Sequence, residues 1–172
     1  MDRLTRTRSD ANTRYNIISV MPGDGASIAR SVVLQAAPES GVTPGSIVIP
    51  FSGNLYSGNS FSGATGIVQV PTAFAGRHFA VLDLSMQSGG NITAVYLQND
   101  QVPAFFPAIG SCFNVRISST SNLTSGALVT YATNNSGMVV PGTEANAIAR
   151  LRHDVLVQDE NLPTWVLVER IV

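Results

Sequence analysis

Short apolar runs separated by turn-forming breaks constrain the fold of this chain more than any other feature. The runs are rich in Val, Ile, Thr and aromatic residues, which favour strands. They lie at residues 15–21, 27–37, 46–51, 66–70, 78–86, 92–98, 111–118, 127–132, 147–158 and 164–172. The breaks carry Pro-Gly, Gly-Asp-Gly or Gly-Gly sequences, as at 22–25, 44–45, 88–91 and 141–142, and these mark turns. This spacing predicts an all-β fold, a single-domain antiparallel sandwich or barrel, rather than βαβ units.

The end of the chain predicts a C-terminal β-hairpin. Along 147–157 one face of the strand is apolar and the other is charged, with Ile148 and Leu156 as interruptions. The apolar face holds Ala147, Ala149, Leu151, Val155 and Val157, and the charged face holds Arg150, Arg152 and Asp154. Residues 159–163 then form a turn, and 164–168 return as the second strand. The competing prediction is a short helix over 143–150, because Glu144 and the alanines that follow it favour helix.

The first 14 residues lack this apolar periodicity and predict an extended N-terminal arm before a β domain over 15–172. The arm holds four arginines and two aspartates, a local charge of +2 (four minus two): Arg3, Arg6, Arg8 and Arg14 against Asp2 and Asp10. Because the first residues have no apolar stretch, we expect no secretory signal.

Residues 52–64 predict a long Gly/Ser/Asn loop that carries Leu55, Tyr56 and Phe61. Adaptable polar residues around aromatic anchors are typical of binding loops. The alternative is that these apolar side chains fold back onto the domain. A second segment, 102–109, is apolar and contains Pro103 and Pro107. Its prolines exclude a central strand. We expect a buried capping loop rather than an exposed patch, because large exposed apolar patches are uncommon on soluble monomers.

The surface is expected to be polar but nearly uncharged. Charged residues make up 12% of the chain, the net charge is −1, and all ten basic residues are arginine. Such a surface suits close contact with other proteins and is poorly suited to binding nucleic acid directly. No apolar run approaches the length of a transmembrane helix, so we expect no membrane insertion.

Motifs that carry chemistry are missing from the sequence. Cys112 is the single cysteine, which excludes an intramolecular disulfide and indicates a buried, unreactive thiol. His153 and Asp154 are neighbours on a strand, so their side chains face opposite ways and do not form half of a catalytic triad. No phosphate-binding loop or HExxH motif is present, and the acidic group near Asp24 is a weak calcium candidate. We therefore expect no enzyme activity, no cofactor and no metal site.

The order of these features resembles the small cement (decoration) proteins of tailed-bacteriophage capsids: an Arg-bearing arm, a low-charge β domain with long polar loops, and an apolar hairpin ending at 167–172. The resemblance implies a homo-oligomeric protein on the capsid surface of a virion. Its partner would be the major capsid protein or another virion protein, and its binding would stabilise the assembled shell. On this interpretation the contact residues are those of the arm and the loop: Arg3, Arg6, Arg8, Arg14, Leu55, Tyr56 and Phe61.

Two alternatives remain open at the level of sequence. A small viral coat protein with an eight-stranded jelly roll would also carry an Arg-bearing arm, although arms that neutralise genomes are usually far more basic. A carbohydrate- or receptor-binding β module of a fibre would use exposed aromatic and amide side chains, which Tyr56, Asn59 and Phe61 could supply.

Overall fold

The structure is a computed structural model that describes residues 28–51, 54–56, 59–60, 66–83, 93–118, 121–156 and 164–172. The regular secondary structure of these residues is entirely β. The strands are β1 (Ile28–Ala36), β2 (Ile47–Pro50), β3 (Asn54–Tyr56), β4 (Asn59–Ser60), β5 (Ile67–Gln69), β6 (Ala80–Leu82), β7 (Gln101–Phe106), β8 (Cys112–Ile117), β9 (Leu128–Tyr131), β10 (Val139–Pro141), β11 (Ala149–Leu151) and β12 (Thr164–Arg170).

Ten of these strands form two closed five-stranded barrels. The first has the order β1-β5-β2-β6-β7 and the second β10-β8-β12-β11-β9. Most pairs are antiparallel, as predicted, but β1 pairs with β5 and β10 with β8 in parallel. The all-β prediction and its barrel alternative are therefore confirmed.

The described residues form two apolar clusters, and one of them, called here the shared core, combines residues of both barrels. Val48 of β2 and Leu82 of β6 belong to the apolar cluster that the strands of the first barrel surround. Their neighbours Ile47, Ile49 and Val81 face the other way and pack with the apolar residues of the second barrel. Successive residues of a strand point to opposite faces, so a strand with apolar residues at every position can serve two cores.

The antiparallel pairing of the C-terminal hairpin is confirmed, although β11 is shorter than the predicted strand over 147–157 and the predicted turn at 159–163 lies outside the described residues. β11 pairs antiparallel with β12, with Ala149 opposite Arg170 and Leu151 opposite Val168. Ala149, Leu151 and Val155 are buried and Arg150 is exposed, as the alternation predicts. The competing helix over 143–150 is wrong, since 144–146 form a turn and β11 begins at Ala149.

The exclusion of residues 102–109 from a central strand is also wrong. Gln101–Phe106 is β7, which pairs with β1 on one side and β6 on the other. Within a strand the N–H and C=O of one residue point to the same neighbour. The carbonyl of Pro103 accepts the Asp83 N–H at 2.9 Å, so the nitrogen of Pro103 also faces the end of β6. The hydrogen bonds of β7 to β1 therefore do not need the missing N–H.

The predicted 52–64 loop carries the β3–β4 pair, a short antiparallel ladder with Asn54 opposite Ser60. This segment is thus partly strand rather than only loop. In the described part of the chain, no helix is long and apolar enough to cross a membrane.

Candidate protein-binding surface

Most of the residues that the sequence predicts to contact other proteins lie outside the described residues. Arg3, Arg6, Arg8, Arg14 and Phe61 belong to this group. The backbone of Leu55 and Tyr56 lies in β3, but their side chains are not described. The roles assigned to the arm and to the 52–64 loop stay predictions.

The described residues present a different candidate, the loop of residues 71–79 between β5 and β6, called here the β5–β6 loop. Its two ends are fixed by the buried residues Pro71 and Phe79, and the residues between them are mainly exposed. Phe74 has 44% of its surface exposed. Its ring stacks on that of Tyr131, with the centroids 5.3 Å apart and an angle of 19° between the planes. The loop therefore displays a large aromatic side chain in a defined orientation.

Tyr131 of β9 anchors the loop from the second barrel. It is only 1% exposed, yet its hydroxyl reaches the loop backbone, where it donates to the Gly76 carbonyl at 2.7 Å and accepts the Ala75 N–H at 2.8 Å. Burial raises the pKa of the phenol, and the hydrogen bond from the Ala75 N–H opposes that rise. The neutral hydroxyl thus acts as donor and acceptor at once.

Two arginines hold the far side of the same loop. The Arg77 guanidinium donates to the carbonyls of Glu144 and Ala145 at 3.2 and 3.3 Å. Arg170 of β12 donates to the carbonyls of Arg77, at 3.3 Å, and of Pro107. Its Cζ lies 5.0 Å from the centroid of the buried Phe79 ring, a cation–π distance. The side chain of Arg170 therefore joins the β5–β6 loop to the turn between β7 and β8.

That turn exposes a second apolar side chain. Ile109 is 63% exposed, and the N–H of the following Gly110 donates to the Arg170 carbonyl at 2.8 Å. Phe74, Arg77 and Ile109 therefore lie on segments that Arg170 connects, and we call these three residues the Phe74 surface. The sequence did not predict the Phe74 surface, because residues 71–77 fall between predicted strands. Without a strand pattern, the sequence does not indicate which of their side chains are exposed.

A charged group lies on the outer face of the β11–β12 hairpin. Arg150 binds both carboxylate oxygens of Glu169 at 3.2 Å, and Arg152 binds one of them at 2.9 Å. The hydrogen bond from Arg150 is the main reason that the pKa of Glu169 is lowered. Two guanidinium groups thus share one carboxylate, which leaves this face with a local positive charge.

Cys112, His153 and Asp154 occupy structural positions in the fold. Cys112 is buried, as predicted, and desolvation raises the pKa of its thiol. The His153 ring nitrogens lie 2.9 Å from the Asp154 carbonyl and 3.1 Å from the Leu167 nitrogen, while the Asp154 carboxylate accepts the Ser125 N–H at 2.7 Å. The imidazole and the carboxylate therefore bind different groups. Within the ranges described, no three His, Cys, Asp or Glu residues are grouped to hold a metal ion.

Comparisons with known proteins give similarity in structure and none in sequence. No family model matches the chain, and no curated protein matches its sequence. Among solved structures, the chain is similar to the head fiber gp8.5 N base in bacteriophage phi29, with 12% sequence identity and a TM-score of 0.47. The match covers 83% of this chain and 94% of that one. This identity does not show membership of a family.

Proposed function

We propose that this chain is a structural virion protein that binds an assembled capsid shell and stabilises it through protein–protein contacts. The observation that carries the binding role is the exposed ring of Phe74 on a loop that Tyr131 and Arg170 hold in place. The virion setting comes from the resemblance of the sequence to capsid cement proteins.

A fixed aromatic side chain is an effective anchor for a protein partner. Its rotamer freedom is already restricted in the free protein, so binding loses less conformational entropy than it would with a mobile side chain. Aromatic anchors at the centre of an interface commonly dominate the binding energy. Ile109 and Arg77 are exposed on the two segments that Arg170 connects, and they would extend the contact beyond one ring.

The barrels also favour binding through side chains rather than through strand addition. Every strand of the two described barrels has a partner on both sides, so neither barrel offers a free edge for another chain to extend. A protein that binds only the assembled shell stabilises it by mass action, and several copies on a symmetric shell gain avidity.

The described strand order does not favour the coat-protein alternative. A jelly roll has eight strands in two Greek-key sheets, whereas this chain has two rings of five strands with a parallel pair in each. A glycan-binding fibre module is separated from the proposal by experiment.

The test is co-sedimentation of the purified protein with assembled capsid shells of the virus that encodes it. We expect wild type to bind, and Phe74→Ser to bind about tenfold more weakly, a loss within the range for an interface anchor. The matched control is Leu156→Ser, which removes another exposed apolar side chain (62% exposed) on the segment after β11.

Equal binding by Phe74→Ser and Leu156→Ser would remove the role of the Phe74 surface. If the wild-type protein does not co-sediment with shells but binds a glycan array, the result would support the fibre alternative instead. Light scattering on the purified protein tests the homo-oligomer prediction, which fails if the protein is a monomer at all concentrations.

A further inference from the structure

Among the described residues, the side chain of Arg116 in β8 has neither a carboxylate nor a backbone carbonyl as acceptor, unlike the other arginines whose side chains are described. Those residues donate either to the Glu169 carboxylate or to backbone carbonyls. Arg116 donates from Nη1 to the hydroxyl of Thr43. Its Nε is enclosed by protein atoms and has no hydrogen-bond partner. A guanidinium carries five N–H donors, so most of the hydrogen-bonding capacity of Arg116 is unused by the described residues.

The side chain lies at the seam between the two barrels. Val115 and Ile117 point into the shared core, so Arg116 between them points outward. Its N–H donates to the carbonyl of Gly45, in the turn before β2, at 3.4 Å. Its Cζ lies 5.9 Å from the ring centroid of Trp165, the residue opposite it in β12. The indole ring packs on the turn of residues 43–46, since a Cβ on Gly45 would lie 2.3 Å from two of its ring atoms and 3.4 Å from Cγ of Arg116.

The environment of Arg116 disfavours an unpaired cation. Desolvation lowers its pKa, because burial penalises the charged form. No described carboxylate forms an ion pair with it. Glu169, the acid of β12, lies opposite Cys112 at the other end of the ladder and is bound by Arg150 and Arg152. A half-buried guanidinium with no described carboxylate beside it carries a desolvation cost, which a bound anion would offset.

We propose that Arg116 binds a carboxylate group supplied by a second molecule, with Trp165 as the aromatic wall of the site. A carboxylate is the planar acceptor that matches a guanidinium. Of the three guanidinium nitrogens, only Nε is enclosed without a partner, and Nη1 already donates to Thr43. Nη2 is therefore the donor that would bind the ligand. The proposal does not depend on binding to a capsid shell, since it concerns this seam alone.

The experiment uses the fluorescence of Trp165, the single tryptophan of the chain. The full-length protein is titrated at pH 7 and constant ionic strength with three probes. These are sodium acetate, a blocked glutamate (N-acetyl-glutamate α-methylamide) and the corresponding blocked glutamine. We expect saturable changes with the carboxylates and none with the isosteric glutamine compound. Tighter binding of the blocked glutamate than of acetate identifies a protein side chain as the preferred source, and the reverse order identifies a free acid.

Variants connect the signal to the guanidinium. Arg116→Met is expected to lose the saturable response and to fold at least as well, because it removes an unpaired cation. Arg116→Lys keeps the charge but places no donor at the position of Nη2, so its midpoint should require about tenfold more ligand, the loss of one charge-assisted hydrogen bond. Arg77→Met, an exposed arginine of the β5–β6 loop, is the control and should respond as wild type does.

Absence of saturation in wild type would overturn the proposal. The same conclusion follows if the glutamine compound matches the glutamate compound, or if Arg116→Lys has the midpoint of wild type. The lysine variant decides the question even if Arg116→Met does not fold.

Discussion

Gly45 provides a sharp test of how the two barrels pack, because a matched glycine exists in the same chain. Gly45 and Gly110 each occupy the third position of a four-residue turn. The turns are closed by hydrogen bonds from Ser46 to Thr43 and from Ser111 to Ala108. Their φ angles are +83° and +81°. A Cβ on Gly45 would lie 2.3 Å from two atoms of the Trp165 ring, whereas a Cβ on Gly110 would meet no atom within 4 Å.

The expected magnitudes follow from separating the backbone and the packing contributions. An alanine in the left-handed region costs roughly 1–2 kcal/mol, and this applies equally to Gly45→Ala and Gly110→Ala. Overpacking against a ring that is fixed on the core adds about 1–3 kcal/mol at Gly45 only. Trp165 packs against the shared core and cannot retreat freely. We therefore expect losses of about 2–5 kcal/mol for Gly45→Ala and about 1–2 kcal/mol for Gly110→Ala.

Urea denaturation followed by Trp165 fluorescence and by circular dichroism measures both variants. A native-state shift of the Trp165 emission should accompany Gly45→Ala and be absent from Gly110→Ala. Equal destabilisation of the two variants would refute the packing of Trp165 over the 43–46 turn. It would also remove the wall assigned to the Arg116 site.

Three further predictions follow from single side chains. Tyr131→Phe removes two hydrogen bonds from the β5–β6 loop and should cost about 1–3 kcal/mol in urea denaturation; faster hydrogen exchange at the Ala75 amide is the local sign, and unchanged exchange would count against the anchor. The folded-state pKa of Glu169 is lowered, so the stability from its pairing with Arg150 is present above the ordinary glutamate pKa of about 4.3 and is lost as pH falls through the folded value. The thermal midpoint of Glu169→Gln should therefore lie below that of wild type at pH 7 and converge with it at acidic pH, and a constant gap would contradict the pairing. Burial raises the pKa of Cys112, so a thiol reagent should modify it only in unfolding conditions, and rapid modification of the native protein would contradict that burial.

The sequence was informative where strand faces are simple. The alternation around Ala149 and Leu151 predicted both the strand and its buried side. Most apolar runs in the described part of the chain contain a strand, but the run at 92–98 has only an isolated bridge at Tyr96. The partner of each strand could not be predicted in this way. The apolar sequence of Ile47–Pro50 indicates a buried strand but does not reveal that its two faces serve two cores. The apolar pattern of a single strand is therefore the same in a sandwich and in a pair of barrels.

The exclusion of β7 on the ground of Pro103 was wrong because the effect of a proline on a strand depends on which neighbouring strand the missing N–H faces. Pro103 faces the end of β6, where the missing N–H is tolerated, and this is a property of the assembled sheet. The Phe74 surface was missed for a similar reason. Phe74 and Phe79 are five residues apart, yet one is exposed and the other buried. Their rings contact Tyr131 and Arg170, which come from strands distant in the sequence.

The most direct test of the proposed function is differential scanning calorimetry of capsid shells with and without this protein. The account predicts that the disruption temperature of the shell rises with added protein and reaches a plateau when the binding sites on the shell are filled. The reason is that this protein binds the assembled shell and so stabilises it. Phe74→Ser should need a higher concentration to reach the same plateau. A disruption temperature that does not change while wild-type protein is present in excess would contradict a stabilising role.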